Sequence, residues 1–145
     1  MKKLILIFTV LLISATAVIA QAPPVVYVSW NIDNCTCVPS TSADYFKVTI
    51  SIYDDANGNE ACSSITVYTA DAGPEDIEIP VPCMLDYCKE SYPNTPSFTV
   101  TATVWFYQIV PDPDAICCTG TISETANCHD FDPDDIFDPG LVVLN

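Results

Sequence analysis

The sequence predicts an all-β, disulfide-crosslinked domain, and three observations carry that expectation. Apolar and polar residues alternate over several short runs, clusters rich in proline, asparagine and aspartate separate the runs, and eight cysteines follow an export-type leader. Twelve prolines punctuate 145 residues, and no stretch sustains a helical period.

The leader comes first in the chain. Lys2 and Lys3 form a basic head, and Leu4 to Val18 is apolar except for Thr9, Ser14 and Thr16. Val18 and Ala20 stand where small residues precede a cleavage point, so residues 1–20 are expected to be a signal peptide removed before Gln21. The apolar run is short of the roughly 20 residues that a membrane span needs, so no stable membrane insertion is expected. Residues 21–145 then form a single domain, large enough to bury a core.

The clearest strand runs from Tyr45 to Tyr53, with Phe46, Val48, Ile50 and Ile52 on one face and Lys47, Thr49 and Ser51 on the other. Ser97 to Val110 repeats the pattern with Phe98, Val100, Ala102, Val104 and Phe106 against Thr99, Thr101 and Thr103. After Val104 both faces become apolar, which predicts a bulge or cover by another segment. Shorter strands are expected at Val25–Ile32, Ile65–Thr69, Ile77–Val81, Ala115–Ser123 and Leu141–Leu144. Trp30 falls in phase with Val26, Val28 and Ile32 and reads as core. Asp54–Glu60 and Pro111–Asp114 are breaks, and only Met84–Glu90 suits a short helix. About seven short strands in one domain point to an immunoglobulin-like β-sandwich, with a flattened β-barrel as the alternative.

Nineteen acidic residues face four basic ones, giving a formal net charge of −15. The leader holds two of the lysines and no acid, so its removal takes the charge to −17, balanced only by Lys47 and Lys89. Such a surface repels phosphate backbones, which excludes nucleic acid as a partner. Extracellular proteins, glycans and cations remain.

Cys35, Cys37, Cys62, Cys83, Cys88, Cys117, Cys118 and Cys128 all lie behind the leader, and an even count in an exported chain predicts four disulfides. Cys83 and Cys88 are spaced for a local loop. Cys117 and Cys118 are adjacent, so on a strand they face opposite sides and take different partners. Eight cysteines allow 105 connectivities, among which spacing does not choose. There is no CxxC pair, and His129 is the sole histidine, so zinc and redox chemistry find little support.

Two acidic segments suggest a cation. Asp55, Asn57, Asn59 and Glu60 alternate like the opening of a calcium loop, but Gly58 is misplaced and no closing glutamate follows. Asp130, Asp132, Asp134, Asp135 and Asp138 form the second cluster. In a sandwich the two loops fall at one end, so a composite calcium site is expected from Asp55, Asn57, Asp130, Asp132 and Asp134. Solvated acidic loops are the plainer reading.

Catalytic motifs are lacking. Cys128, His129 and Asp130 are neighbours in sequence, which rarely lets side chains meet, and an oxidised cysteine is no nucleophile. A carboxylate pair serving a small secreted hydrolase is the remaining enzymatic reading. Trp105 and Tyr107, with Tyr45 and Tyr53, fall opposite the expected core face and suggest a ligand or partner surface. The alternative is that the 82–96 segment covers them. The apolar Leu141–Leu144 end and the Gln21–Pro24 lead are candidates for strand addition to a neighbouring copy. The expected function is therefore a secreted, non-enzymatic extracellular structural or interaction module, such as a cell-surface or filament subunit. A calcium-stabilised carbohydrate- or protein-binding domain is the alternative.

Overall fold

The computed structural model describes residues 22–35, 37, 44–69, 76–91, 96–108, 115–132 and 135–145. Eight strands run in the order β1 (Val25–Asn31), β2 (Tyr45–Asp54), β3 (Glu60–Thr69), β4 (Asp76–Pro80), β5 (Ser97–Gln108), β6 (Ala115–Asn127), β7 (Ile136–Phe137) and β8 (Leu141–Val143). Helix α1 (Cys83–Ser91) lies between β4 and β5, and a 3-10 turn (Cys128–Phe131) follows β6.

Period-two alternation decides which faces meet. Phe46, Val48, Ile50 and Ile52 of β2 and Phe98, Val100, Ala102, Val104 and Phe106 of β5 are all buried, as their spacing predicts. Opposite them lie Val26, Val28 and Trp30 of β1, Ile79 of β4 and Val142 of β8. The core therefore sits between two sheets, one antiparallel and ordered β3-β2-β5-β6, the other mixed and built around β1.

In the second sheet β1 pairs antiparallel with β4 and parallel with both β7 and β8. The last two are one strand interrupted by a bulge. Val25 pairs with Ile136 and Ser29 with Leu141, so the C-terminal segment takes one more step than β1 does. Gly140, at φ +101°, occupies the left-handed conformation that this extra residue requires.

The C-terminal segment also reaches the first sheet. Thr119 and Asn145 exchange backbone hydrogen bonds of 3.2 and 3.1 Å, while the Leu144 N–H donates to the Asn31 carbonyl. This close approach needs Gly120. A Cβ there would press on the Val143 carbonyl and lie 2.8 Å from Val142 Cγ1. One side of the sandwich is thus laced shut between β1 and β6, whereas β3 and β4 on the other side form no ladder among the described residues.

Aromatic clusters fill both ends of the core. At the end where β2 begins, Trp30 packs tilted on Phe46 and Phe46 stacks on Phe106, with centroid separations of 5.3 and 4.9 Å. Tyr87, Phe98, Phe131 and Phe137 form a chain at the other. Disulfides divide the same way. Cys35–Cys118 and Cys37–Cys117 tie the β1–β2 connection to the start of β6, while Cys62–Cys83 and Cys88–Cys128 fasten α1 to β3 and to the 3-10 turn. The local Cys83–Cys88 loop suggested by spacing does not form. The two cysteines lie on a helix and reach different elements. Cys117 and Cys118 do take separate partners, as adjacent strand residues must.

Other differences are local. Glu60–Ser64 also belongs to β3, which begins five residues before the expected Ile65, and β6 continues to Asn127. The register shift in the β5–β6 ladder falls between Phe106 and Tyr107, slightly beyond the position expected from hydropathy. The Pro111–Asp114 break and the 109–110 end of the long run lie outside the described residues.

Candidate binding face and acidic end

The register of the four-stranded sheet assembles its outward side chains into rows. Val67, Lys47, Trp105 and Thr119 form one row, and Ile65, Thr49, Thr103 and Thr121 the next. Ser63, Ser51, Thr101 and Ser123 follow. Beyond the Trp105 row, Tyr45, Tyr107 and Ile116 complete the face. Central outward positions carry no carboxylate, in a chain with nineteen. Glu60 and Asp55 stand only at the turn end.

Trp105 and Tyr107 are both half-buried. The Lys47 ammonium lies 5.3 Å from the Trp105 ring centre, a cation–π contact, and Tyr107 stacks on Tyr45 at 4.7 Å and 11°. The described part of the 82–96 segment does not cover them. Its helix is stapled to the opposite end of the sandwich through Cys62 and Cys128. Ile65, Val67 and Ile116 beside them are 62%, 58% and 55% exposed. Thr101 and Ser123 share a 2.9 Å hydrogen bond, and the Thr121 hydroxyl donates to Thr103 at 3.1 Å, so these hydroxyls form cross-strand pairs.

The acidic segments sit at the other end. Asp54 closes the β2–β3 turn: its carboxylate accepts from the Ala56 N–H at 2.8 Å, Asn57 Nδ2 at 2.9 Å and the Tyr87 hydroxyl at 2.7 Å. The Tyr87 bond, supported by the Ala56 and Asn57 bonds, holds the Asp54 carboxyl below the usual carboxylate range, and the same bond raises the Tyr87 hydroxyl. Asp55 accepts from the Ser97 and Thr99 hydroxyls at 2.5 and 2.7 Å, which lower its pKa as well. Sequence reasoning missed Asp54 and Tyr87, whose link spans 33 residues.

The two acidic loops lie at the same end of the sheet, on either side of Ser97. Asp55 donates its N–H to the Ser97 carbonyl, and Asn127 is the register partner of Ser97. Their oxygens nonetheless serve the chain itself. Asn57 Oδ1 accepts from the Asn59 N–H, and Asp130 accepts from the Asn127 N–H in a capping box around the 3-10 turn. Asp132 lies 3.8 Å from His129 Nδ1 on the exposed surface, and Asp134 is outside the described residues. Among the described residues no three His, Cys, Asp or Glu side chains group closely enough to hold a metal ion, and no helix is long and apolar enough to cross a membrane.

All eight cysteines are in disulfides, so the thiol beside His129 is not free. No protein-family model matches the chain, and no curated protein or solved structure matches it either.

Proposed function

We propose that the chain is a secreted, non-enzymatic extracellular interaction module of immunoglobulin-like architecture. In this reading its working surface is the outer face of the four-stranded sheet and its ligand class is a neutral glycan. The carboxylate-free, aromatic and hydroxyl-bearing character of that face carries the reading. In so acidic a chain, a face whose central positions carry no carboxylate lets a neutral ligand reach rings and hydroxyls without desolvating charged oxygens. Aromatic rings offer apolar planes to sugar C–H groups, and rows of hydroxyls both donate and accept hydrogen bonds.

The order β3-β2-β5-β6 supports the architectural part, corresponding to C′-C-F-G of a variable-type sheet, with β1 and β4 as B and E. The C-terminal strand then lies where A would lie, but parallel to β1. The four disulfides are in keeping with an exported protein. The non-enzymatic part is supported by the sulfur chemistry, since Cys128 beside His129 is bonded to Cys88 and is no nucleophile.

Calorimetric titration with soluble neutral oligosaccharides tests the proposal. Binding heat that disappears in Trp105→Ala and Tyr107→Ala, both still folded, is the expected result. The absence of heat with every neutral sugar class, or heat unaffected by both substitutions, counts against it.

A further inference from the structure

The same sheet has two edges, and they are treated differently. An edge strand exposes alternate N–H and C=O groups that template pairing with another chain, and proteins blunt such edges with charge, proline, bulges or cover. The β6 edge is covered by the C-terminal segment at Thr119. In the second sheet, edge strand β4 is five residues long, carries Asp76 and Glu78, and ends in Pro80. Strand β3 is ten residues long and, among the described residues, pairs only with β2. From Ala61 to Thr69 it contains neither a charge nor a proline, in a chain of net charge −15.

We propose that β3 is a self-pairing edge. Two copies join antiparallel along Ser63–Thr69, with Thr66 opposite Thr66 of the second copy, and the four-stranded sheet becomes an eight-stranded one across a two-fold axis. The register is chosen by the side chains. It sets Ile65 against Val67 of the second copy and Val67 against Ile65, so the most exposed aliphatic residues of the face, at 62% and 58%, cover one another. On the inward side Ser64 meets Tyr68, and both are only half-buried in the single chain. An isologous joint of this kind needs a self-complementary patch, and this segment is one. Glu60 lies six residues from the axis, so the two glutamates are carried to opposite ends of the joint and do not face each other.

A second copy fits better than an unrelated strand because the segment meets its own register and hydropathy requirement. The cost is long-range repulsion between two acidic bodies. That term is screened over about 8 Å at physiological ionic strength, so added salt strengthens the pairing. An edge joint buries less than a standard interface, which makes the dimer weak and dependent on concentration. This inference goes beyond the glycan-binding reading and stands without it.

Sedimentation equilibrium of the oxidised protein, from micromolar to millimolar and at two salt concentrations, tests it. A reversible monomer–dimer equilibrium that tightens with salt is expected. Ile65→Lys and Val67→Lys should each weaken it at least tenfold, although both reduce the negative charge and would strengthen any association limited by repulsion alone. Thr121→Lys makes the same charge change on the same face near the β6 edge, and Trp105→Ala alters the glycan-binding surface; both should leave dimerisation in place. A monomer at every concentration overturns the proposal. So does a dimer indifferent to Ile65→Lys and Val67→Lys, or one lost in Thr121→Lys.

Discussion

Around Thr119 the β6 edge of the four-stranded sheet is closed by three devices, whereas the β3 edge has almost none. Beside β6, Gly120 lets the C-terminal strand approach, Asn145 pairs with Thr119, and two disulfides anchor Cys117 and Cys118. Along β3, one disulfide at Cys62 fixes the turn end, and the rest of the strand has only β2 as a ladder partner among the described residues. Both strands have similar alternation and similar hydroxyl content. What separates them is what the chain brings alongside, and that is why one edge reads as structure and the other as surface.

The largest effect should come from unfastening the closed edge. Replacing Cys35, Cys37, Cys117 and Cys118 by alanine opens loops of 83 and 80 residues and should cost about 5–6 kcal/mol in the chain-entropy description, about 4.5 kcal/mol of it from the one long loop. Removing Cys37–Cys117 alone should cost about 2 kcal/mol or less, because Cys35–Cys118 still closes nearly the same loop. Denaturant unfolding of the two variants reads the contrast, and equal losses would show that the bridges are not redundant.

Next in size is Gly120→Ala. The added methyl group meets Val142 and the Val143 backbone, and should cost about 1–3 kcal/mol by overpacking. The same denaturation curves check it. On the open edge, Ile65→Lys should change stability by about 0.5 kcal/mol or less, since the side chain is 62% exposed, while disrupting dimerisation. A substantial loss of stability there would mean that β3 is not an edge surface.

A smaller effect is expected at the helix-capped end. Asp54 has a lowered pKa in the folded chain, so between the folded and unfolded values the unfolded chain binds more protons and stability rises with pH. Its contribution is complete above the unfolded carboxylate value of about 3.9 and is lost as acid reaches the lower folded value. Acidification also relieves repulsion among the other carboxylates, so the informative quantity is the difference between the wild type and Asp54→Asn. That difference should be constant near neutrality and shrink toward pH 3, and Tyr87→Phe should shrink it from the other side of the bond. Smallest of all, millimolar calcium should leave the melting temperature unchanged, because Asp55 already accepts hydrogen bonds from Ser97 and Thr99, and Asn57 and Asp130 accept them from their own turns. A clear rise would instead support the composite calcium site at Asp55, Asn57, Asp130, Asp132 and Asp134.

Strand interiors were legible because burial imposes a period of two on β2 and β5, where every inward residue except Asp54, at the turn end of β2, is apolar. Strand ends were less so. Glu60–Ser64 and Glu124–Asn127 are strand by pairing alone, and no hydropathy signal marks them. The two-residue β7 is held by parallel pairing to a strand more than a hundred positions earlier, a contact that alternation does not encode. The outward placement of Trp105, Tyr107 and Lys47 followed from alternation, but their rows needed the register. The Asp54–Tyr87 bond and the disulfide connectivity depend on where α1 docks, which local sequence leaves open.

Residue-resolved hydrogen exchange at low and high protein concentration tests the contrast between the two edges most directly. Amides near Thr119, at the β6 edge, should exchange slowly at both concentrations. Alternate amides in Ser63–Thr69 should exchange rapidly in dilute protein and become protected as the concentration rises. Equal and strong protection of both edges in dilute solution, or a β3 edge that stays unprotected at millimolar protein, would contradict the account.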